Sequence, residues 1–109
     1  MTPAAVHIGD VQVFRDLRVD KQQALKPLEE AAEVFGAYQR VERVALDVLD
    51  ASGSEAESMW VSIVEARDLV DECADVIQAT CNLLAALGVD DLSDVMERCR
   101  ARNAARGRM

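Results

Sequence analysis

The sequence predicts an all-α protein, a helical bundle of about four helices in which two long antiparallel helices form the centre. Three observations carry that reading. Half of the 109 residues are apolar, yet Phe, Tyr and Trp together number only four, so Leu, Val and Ala must fill the core, as they do between packed helices. Apolar residues recur three and four apart through two long stretches, which is the period of a helix face. No alternating run is followed by a hairpin turn, as a small β-sheet would require. The length allows one domain, residues 1–109, because single cores usually serve roughly 100 to 200 residues.

The first element is the hardest to assign. Within residues 1–20, Ile8, Val11 and Val13 suit a short extended piece, whereas Asp10 can cap a helical turn carrying Val11, Phe14 and Leu17. The short helix is the expected form. Pro27 then marks the first turn of the main helix, where a fixed φ and a missing N–H do no harm. From there Leu28, Ala31, Ala32, Phe35, Tyr38, Val41, Ala45 and Leu49 keep one helical face. Asp50 to Ser54 interrupts the pattern, and Ser54 with Glu57 has the form of a capping box. A second long helix follows, with Met59, Ile63, Leu69, Val70, Cys73, Val76, Ile77, Leu83, Leu84 and Leu87 as its apolar set and Gly88 as its C′ residue. Asp90 or Asp91 can cap a last helix whose Leu92, Val95, Met96 and Cys99 turn inward.

Charge narrows the function. Twenty acidic against 12 basic side chains give a net charge of −8, which argues against nucleic-acid binding, where phosphate neutralisation dominates. The basic tail, residues 98–109, is the exception, with Arg98, Arg100, Arg102, Arg106 and Arg108 and no acid. Cys73, Cys81 and Cys99 form no C-x-x-C, and Cys73 and Cys81 lie too far apart on one helix to bridge. They are expected as small core residues of a reduced, cytoplasmic protein. No basic region precedes an apolar run at the N-terminus, and no uninterrupted apolar stretch of about 18 residues occurs, so neither secretion nor a membrane span is expected. A core this small also gains from burial against a second copy.

Two carboxylate pairs stand out: Glu30 and Glu33 on the first long helix, and Glu72 and Asp75 on the second. Spacing of three places each pair on one helical face. Antiparallel packing brings both pairs to one level, where four carboxylates repel one another unless a multivalent ion neutralises them. An oxygen-only set suits Mg²⁺, with Mn²⁺ an acceptable substitute, far better than zinc. Asp68, Glu72, Asp75 and Asn82 form one polar stripe, from which Asn82 could read a base or sugar. Lys26 lies on the flank of Glu30 and Glu33, while Glu29 sits off that line. Each feature also has a plainer reading. Carboxylates three apart on a helix are ordinarily a solvated face, Asn82 and Lys26 ordinary surface residues, the arginine tail a solvated end, and Trp60 a core or interface anchor. Two matched pairs weaken the first of these. His7 has no Cys or His companion and is given no role.

The run Lys26-Pro-Leu-Glu-Glu-Ala-Ala-Glu33 and the run Asp71-Glu-Cys-Ala-Asp75, continuing through Gln78 to Gly88, resemble the E-x-x-E and E-x-x-D motifs of the MazG-like all-α nucleoside triphosphate pyrophosphohydrolases. The closing Arg100-Ala-Arg-Asn-Ala-Ala-Arg106 resembles the basic, asparagine-containing end of small phage and bacterial members. The resemblance covers about residues 22–108. It implies hydrolysis of an NTP or dNTP to the monophosphate and pyrophosphate, in a homodimer or homotetramer. It further implies Mg²⁺ held by Glu30, Glu33, Glu72 and Asp75, with Glu33 and Glu72 orienting the attacking water. Lys26, Asn82, Arg102, Asn103 and Arg106 would contact phosphate, sugar or base. One departure stands: 38 residues separate Glu33 from Glu72, more than in the compact members. A non-catalytic helical interaction module and a nucleotide-binding regulatory protein of the same fold are the rival readings.

Overall fold

A computed structural model describes residues 2–52 and 64–109, the side chains of residues 47–52 excepted. Three helices are present among these residues and no strand: α1 (Lys21–Ser52), α2 (Val64–Ala86) and α3 (Ser93–Ala105). The all-α class is therefore observed. The short helix expected around Asp10 is not formed, because residues 2–20 run without helix. That segment finds its hydrogen-bond partners on α2 instead, where Gln78 Nε2 donates to the Gln12 carbonyl at 2.9 Å and the Phe14 N–H donates to Asn82 Oδ1 at 3.1 Å. The capping box at Ser54 and Glu57, and also Met59, Trp60 and Ile63, lie outside the described residues.

α1 begins earlier than Pro27 suggests. Asp20 caps it, accepting the Gln23 N–H on Oδ1 at 2.8 Å and the Ala24 N–H on its backbone carbonyl at 3.1 Å. Pro27 consequently lies inside the helix, where it removes the bond to the Gln23 carbonyl while its φ still fits the helix. The end of α2 obeys its sequence signal. Gly88 takes φ +84°, Val89 N–H reaches the Leu84 carbonyl at 2.9 Å, and Gly88 N–H reaches that of Ala85 at 2.9 Å. This is a Schellman closure, and Gly107 with Arg108 repeats it on Asn103 and Ala104 at the end of α3. α3 is not capped by Asp90 or Asp91 as the sequence suggests: Leu92 is its N-cap and no side chain caps it, while Asp91, one residue earlier, accepts the N–H and the hydroxyl of Ser93 at 2.9 and 2.6 Å in a local turn.

α1 and α2 pack along each other's length. Lys26 and Asn82 line one cleft while Glu30 converges with Glu72 and Asp75, so the chain directions are opposed. Small residues form the seam: Ala37, Val41 and Ala79 are buried, which lets the two backbones approach closely. Among the described residues Val41 is the largest side chain fully removed from solvent, a burial that contributes roughly 1.5–3 kcal/mol. The face read from the sequence is only partly the buried one. Val41 lies in the seam, but Leu28 at 67% and Phe35 at 60% exposure face outward with Leu25 and Leu46. α3 comes within 8 Å of neither long helix, measured between Cα atoms. Val95 and Met96 are consequently exposed rather than turned inward. Cys73 is exposed too, and is no core residue of the single chain. No described helix is long and apolar enough to cross a membrane.

Two glycines give opposite predictions. Gly36 lies inside α1, and a Cβ there would meet nothing closer than an Arg40 guanidinium nitrogen at 3.8 Å. Gly36→Ala is expected to raise stability by about 0.5–1 kcal/mol. Gly88 has open space around it but a left-handed backbone, so Gly88→Ala is expected to lower stability by about 1–2 kcal/mol. Urea midpoints of the two variants against the parent check both signs.

Candidate metal centre

The site follows from where the two helices put their carboxylates. On α1, Glu30 occupies the row that also carries Val34, Ala37 and Val41, the row facing α2. On α2, Glu72 occupies the row of Leu69, Val76 and Ala79. Two acids therefore replace apolar residues in the contact between the helices. Carboxylate oxygens of Glu30, Glu72 and Asp75 lie within 4.8 Å of one another. Glu33 is more exposed, yet its carboxyl is in hydrogen-bonding and Coulombic range of both Glu30 and Glu72. Three of the four acids singled out in the sequence converge, and Glu33 lies beside them.

Their environment is unfavourable to charge. Glu72 Oε2 is sealed from solvent and has no hydrogen-bond partner. Desolvation is the first cause holding the Glu72 carboxyl above its ordinary value of 4.5, followed by repulsion from Glu33 and its hydrogen bond, then by Asp75 and Glu30. Glu30 is raised in the same way, by desolvation and then Glu33, with Lys26 acting against the shift. That opposition is weak in geometry, because Lys26 Nζ is 3.9 Å from Glu30 Oε1 and closer, at 3.3 Å, to Glu29 Oε2. A desolvated acid without a donor is costly unless a proton or a cation compensates it. Three oxygen donors from two helices form an open-sided set of the kind that hard divalent ions occupy with several waters retained. At metal–oxygen distances of about 2.1 Å, ligand oxygens stand roughly 3–4.2 Å apart, so small rotations of flexible side chains would close this cluster on an ion.

The other expected contacts are distributed unevenly. Lys26 lines a cleft of about 300 Å³ beside the acids, with Asn82 on its opposite helix. Asn82 is not the surface residue its polarity suggests: it is 3% exposed. A backbone N–H can only donate, so the Phe14 contact fixes the Asn82 oxygen as the bonded atom, and Gln78 Nε2 also donates to it at 3.0 Å. Any reading of a base or sugar by Asn82 would fall to its amide nitrogen. Arg102, Asn103 and Arg106 lie on or at the end of α3, away from the seam. Asn103 is engaged at that helix end, where Oδ1 accepts Arg108 Nη1 at 3.0 Å. Within one chain these three do not meet the carboxylates.

Sequence reasoning passed over Gln78, Phe14 and Arg18. Gln78 had a signal, since it lies four residues before Asn82 on one helix face and their side chains pair. Phe14 and Arg18 had none, because the path of the segment before α1 is a tertiary matter. Comparison of the chain with protein-family models, with curated proteins and with solved structures finds no match to any of them. The geometry and the motifs are therefore what the chemistry has to be read from.

The raised carboxyls fix a sign for pH dependence. A folded-state value above the unfolded one means that the native protein holds the extra proton, so stability is greatest below about pH 4.5 for these groups and is lost as pH rises through their higher folded values. Asp91 and Glu97 are shifted down, by Ser93 and Arg100 respectively, and act in a lower window. Without divalent ions, Glu72→Gln is expected to raise the melting temperature at pH 7 and to flatten its decline above pH 4.5, as thermal melts across pH will read.

Proposed function

We propose that the protein is a Mg²⁺-dependent nucleotide pyrophosphohydrolase that cleaves an NTP or dNTP to the monophosphate and pyrophosphate. The observation that carries this reading is the convergence of Glu30, Glu72 and Asp75 from two helices, with one Glu72 oxygen buried and unpartnered. A solvated acidic face has no reason to place a carboxylate in the helix contact. The two motif pairs that resemble the MazG-like enzymes supply the reaction class. A divalent ion there would bridge carboxylates to substrate phosphates, polarise the phosphorus and lower the pKa of a bound water.

The residues divide the work by where their oxygens converge. Glu30, Glu72 and Asp75 hold the ion. Glu33, exposed and within hydrogen-bonding range of Glu30 and Glu72, is open to orient the attacking water together with Glu72. Lys26 stands between the acids and the adjoining cleft and is placed to meet a phosphate. Mn²⁺ would serve in place of Mg²⁺, because both accept oxygen ligands.

Assembly completes the proposal. Leu25, Leu28, Phe35 and Leu46 are all at least 44% exposed, and their spacing puts them on one face of α1. Phe35 and Tyr38 stack on that surface with ring centroids 6.5 Å apart. A homodimer or homotetramer would cover this stripe. It would also let Arg102, Asn103 and Arg106 serve the cluster of a neighbouring subunit, which they do not reach in their own. The double change Leu28→Asp with Phe35→Asp is expected to reduce the mass measured by light scattering to that of one chain.

Activity is tested by pyrophosphate release from canonical and modified nucleotides. Release is expected with Mg²⁺ and not without it, and Glu72→Gln is expected to reduce it to background. Mg²⁺ should also raise the melting temperature of the parent, by mass action, and leave that of Glu72→Gln unchanged. No release from any nucleotide by folded, metal-loaded protein would move the assignment to nucleotide binding or to an interaction role.

A further inference from the structure

The cleft beside the carboxylates is built largely by a segment that the proposed chemistry does not use. Residues before α1 cross the end of the helix pair, held by the Gln12 and Phe14 backbones to Gln78 and Asn82. Asp16 adopts φ +58°, a left-handed conformation uncommon outside Gly that Asp takes up more readily than most residues. Past that turn the chain brings Arg18 and Asp20 into the same cleft as Phe14. The strain is tolerated because both flanks are fixed: the Phe14 N–H to buried Asn82 on one side, and the Asp20 cap of α1 on the other. The result is a cavity of about 300 Å³, at the small end of the roughly 300–1,000 Å³ that small-molecule sites occupy.

Its lining specifies the ligand class. Asp16 and Asp20 balance Arg18 and Lys26, so the wall has no net positive charge and is a poor seat for a polyphosphate tail. What it offers is amide and carboxylate groups, from Gln22, Gln23 and Asn82 among others, next to an aromatic ring. Hydrogen-bonding groups around a π-face are what a nucleobase and its sugar require. Phe14 is 63% exposed although it lines the cleft, so its ring supports little of the fold and is open to stack.

We infer that this cleft is a nucleoside-binding subsite, in which Phe14 stacks on the base, Gln22 and Gln23 read its edge or the sugar, and Lys26 marks the exit toward the phosphates. Its role in substrate choice rests on the hydrolase reading, but nucleoside binding does not. Lys26 bridges the two regions, lining the cleft and lying 3.9 Å from Glu30. A nucleotide seated here would therefore run its phosphates directly toward the four acids. Specificity for the base would reside in the segment before α1 and the first turn of that helix.

The test uses the full-length protein, ¹⁵N-labelled, titrated with the unphosphorylated nucleosides adenosine, guanosine, cytidine, uridine and thymidine without any divalent ion. At least one is expected to shift the amide signals of Phe14, Arg18, Gln22 and Gln23. Phe14→Ala should weaken its binding by roughly tenfold, and Glu72→Gln should leave it unchanged. Phe14→Ala keeps the backbone bond to Asn82, and its amide spectrum reports whether it is folded. If no nucleoside shifts these signals at millimolar concentration, the inference fails, even if pyrophosphate release is observed. If shifts occur and Phe14→Ala does not alter them, the assignment of the stacking platform is overturned. Binding without any pyrophosphate release would uphold the subsite and sink the hydrolase reading.

Discussion

Everything particular about this molecule depends on the contact between α1 and α2, and on the conflict built into it. Ala37, Val41 and Ala79 make the two helices approach closely, and close approach is favourable for apolar groups. In the same rows stand Glu30 and Glu72, for which it is unfavourable, since burial removes the water that would solvate them. The helix pair thus stabilises itself along most of its length and concentrates carboxylates at one level. A cluster of carboxylates that could hold a cation is the direct consequence.

The same contact explains why the helices display apolar surface on the outside. A two-helix contact can use one row of each helix, and on α1 that row includes an acid. Large side chains such as Leu28 and Phe35 are left on the opposite side, where they stay exposed among the described residues. Polar inside and apolar outside is an expensive arrangement for a monomer and a reasonable one for a subunit. The carboxylate cluster and the exposed stripe are two results of one choice of packing row.

The N-terminal segment gains its importance from the end of that helix pair. It forms no regular structure of its own, yet Gln78 and Asn82 accept it as a strap, and Asn82 is buried for that purpose. A buried amide facing a backbone N–H is well satisfied, whereas the same amide in an unstrapped pair would face an unfilled gap. The strap turns an open helix end into a walled cleft next to the acids. Chemistry and recognition would then be divided between the helices and the segment that precedes them.

How much of this was legible in the sequence follows from the range of the forces involved. Local signals sufficed for the helical class, for the closure at Gly88, and for the pairing of Glu30 with Glu33 and Glu72 with Asp75, because each depends on neighbours three to five residues away. The convergence of the two pairs was legible once the helices were taken as antiparallel. Which row of α1 meets α2 was not, since Leu28 and Phe35 carry more hydrophobicity than Ala37 and would be buried first on composition alone. The start of α1 was misplaced because Asp20 outweighs Pro27 as a signal, a side-chain cap against a residue that the helix tolerates. The path of residues 2–20, the burial of Asn82 and the separation of α3 from the seam were decided only in three dimensions. Each depends on which surfaces remain open after the long helices have paired, and a one-dimensional pattern does not contain that remainder.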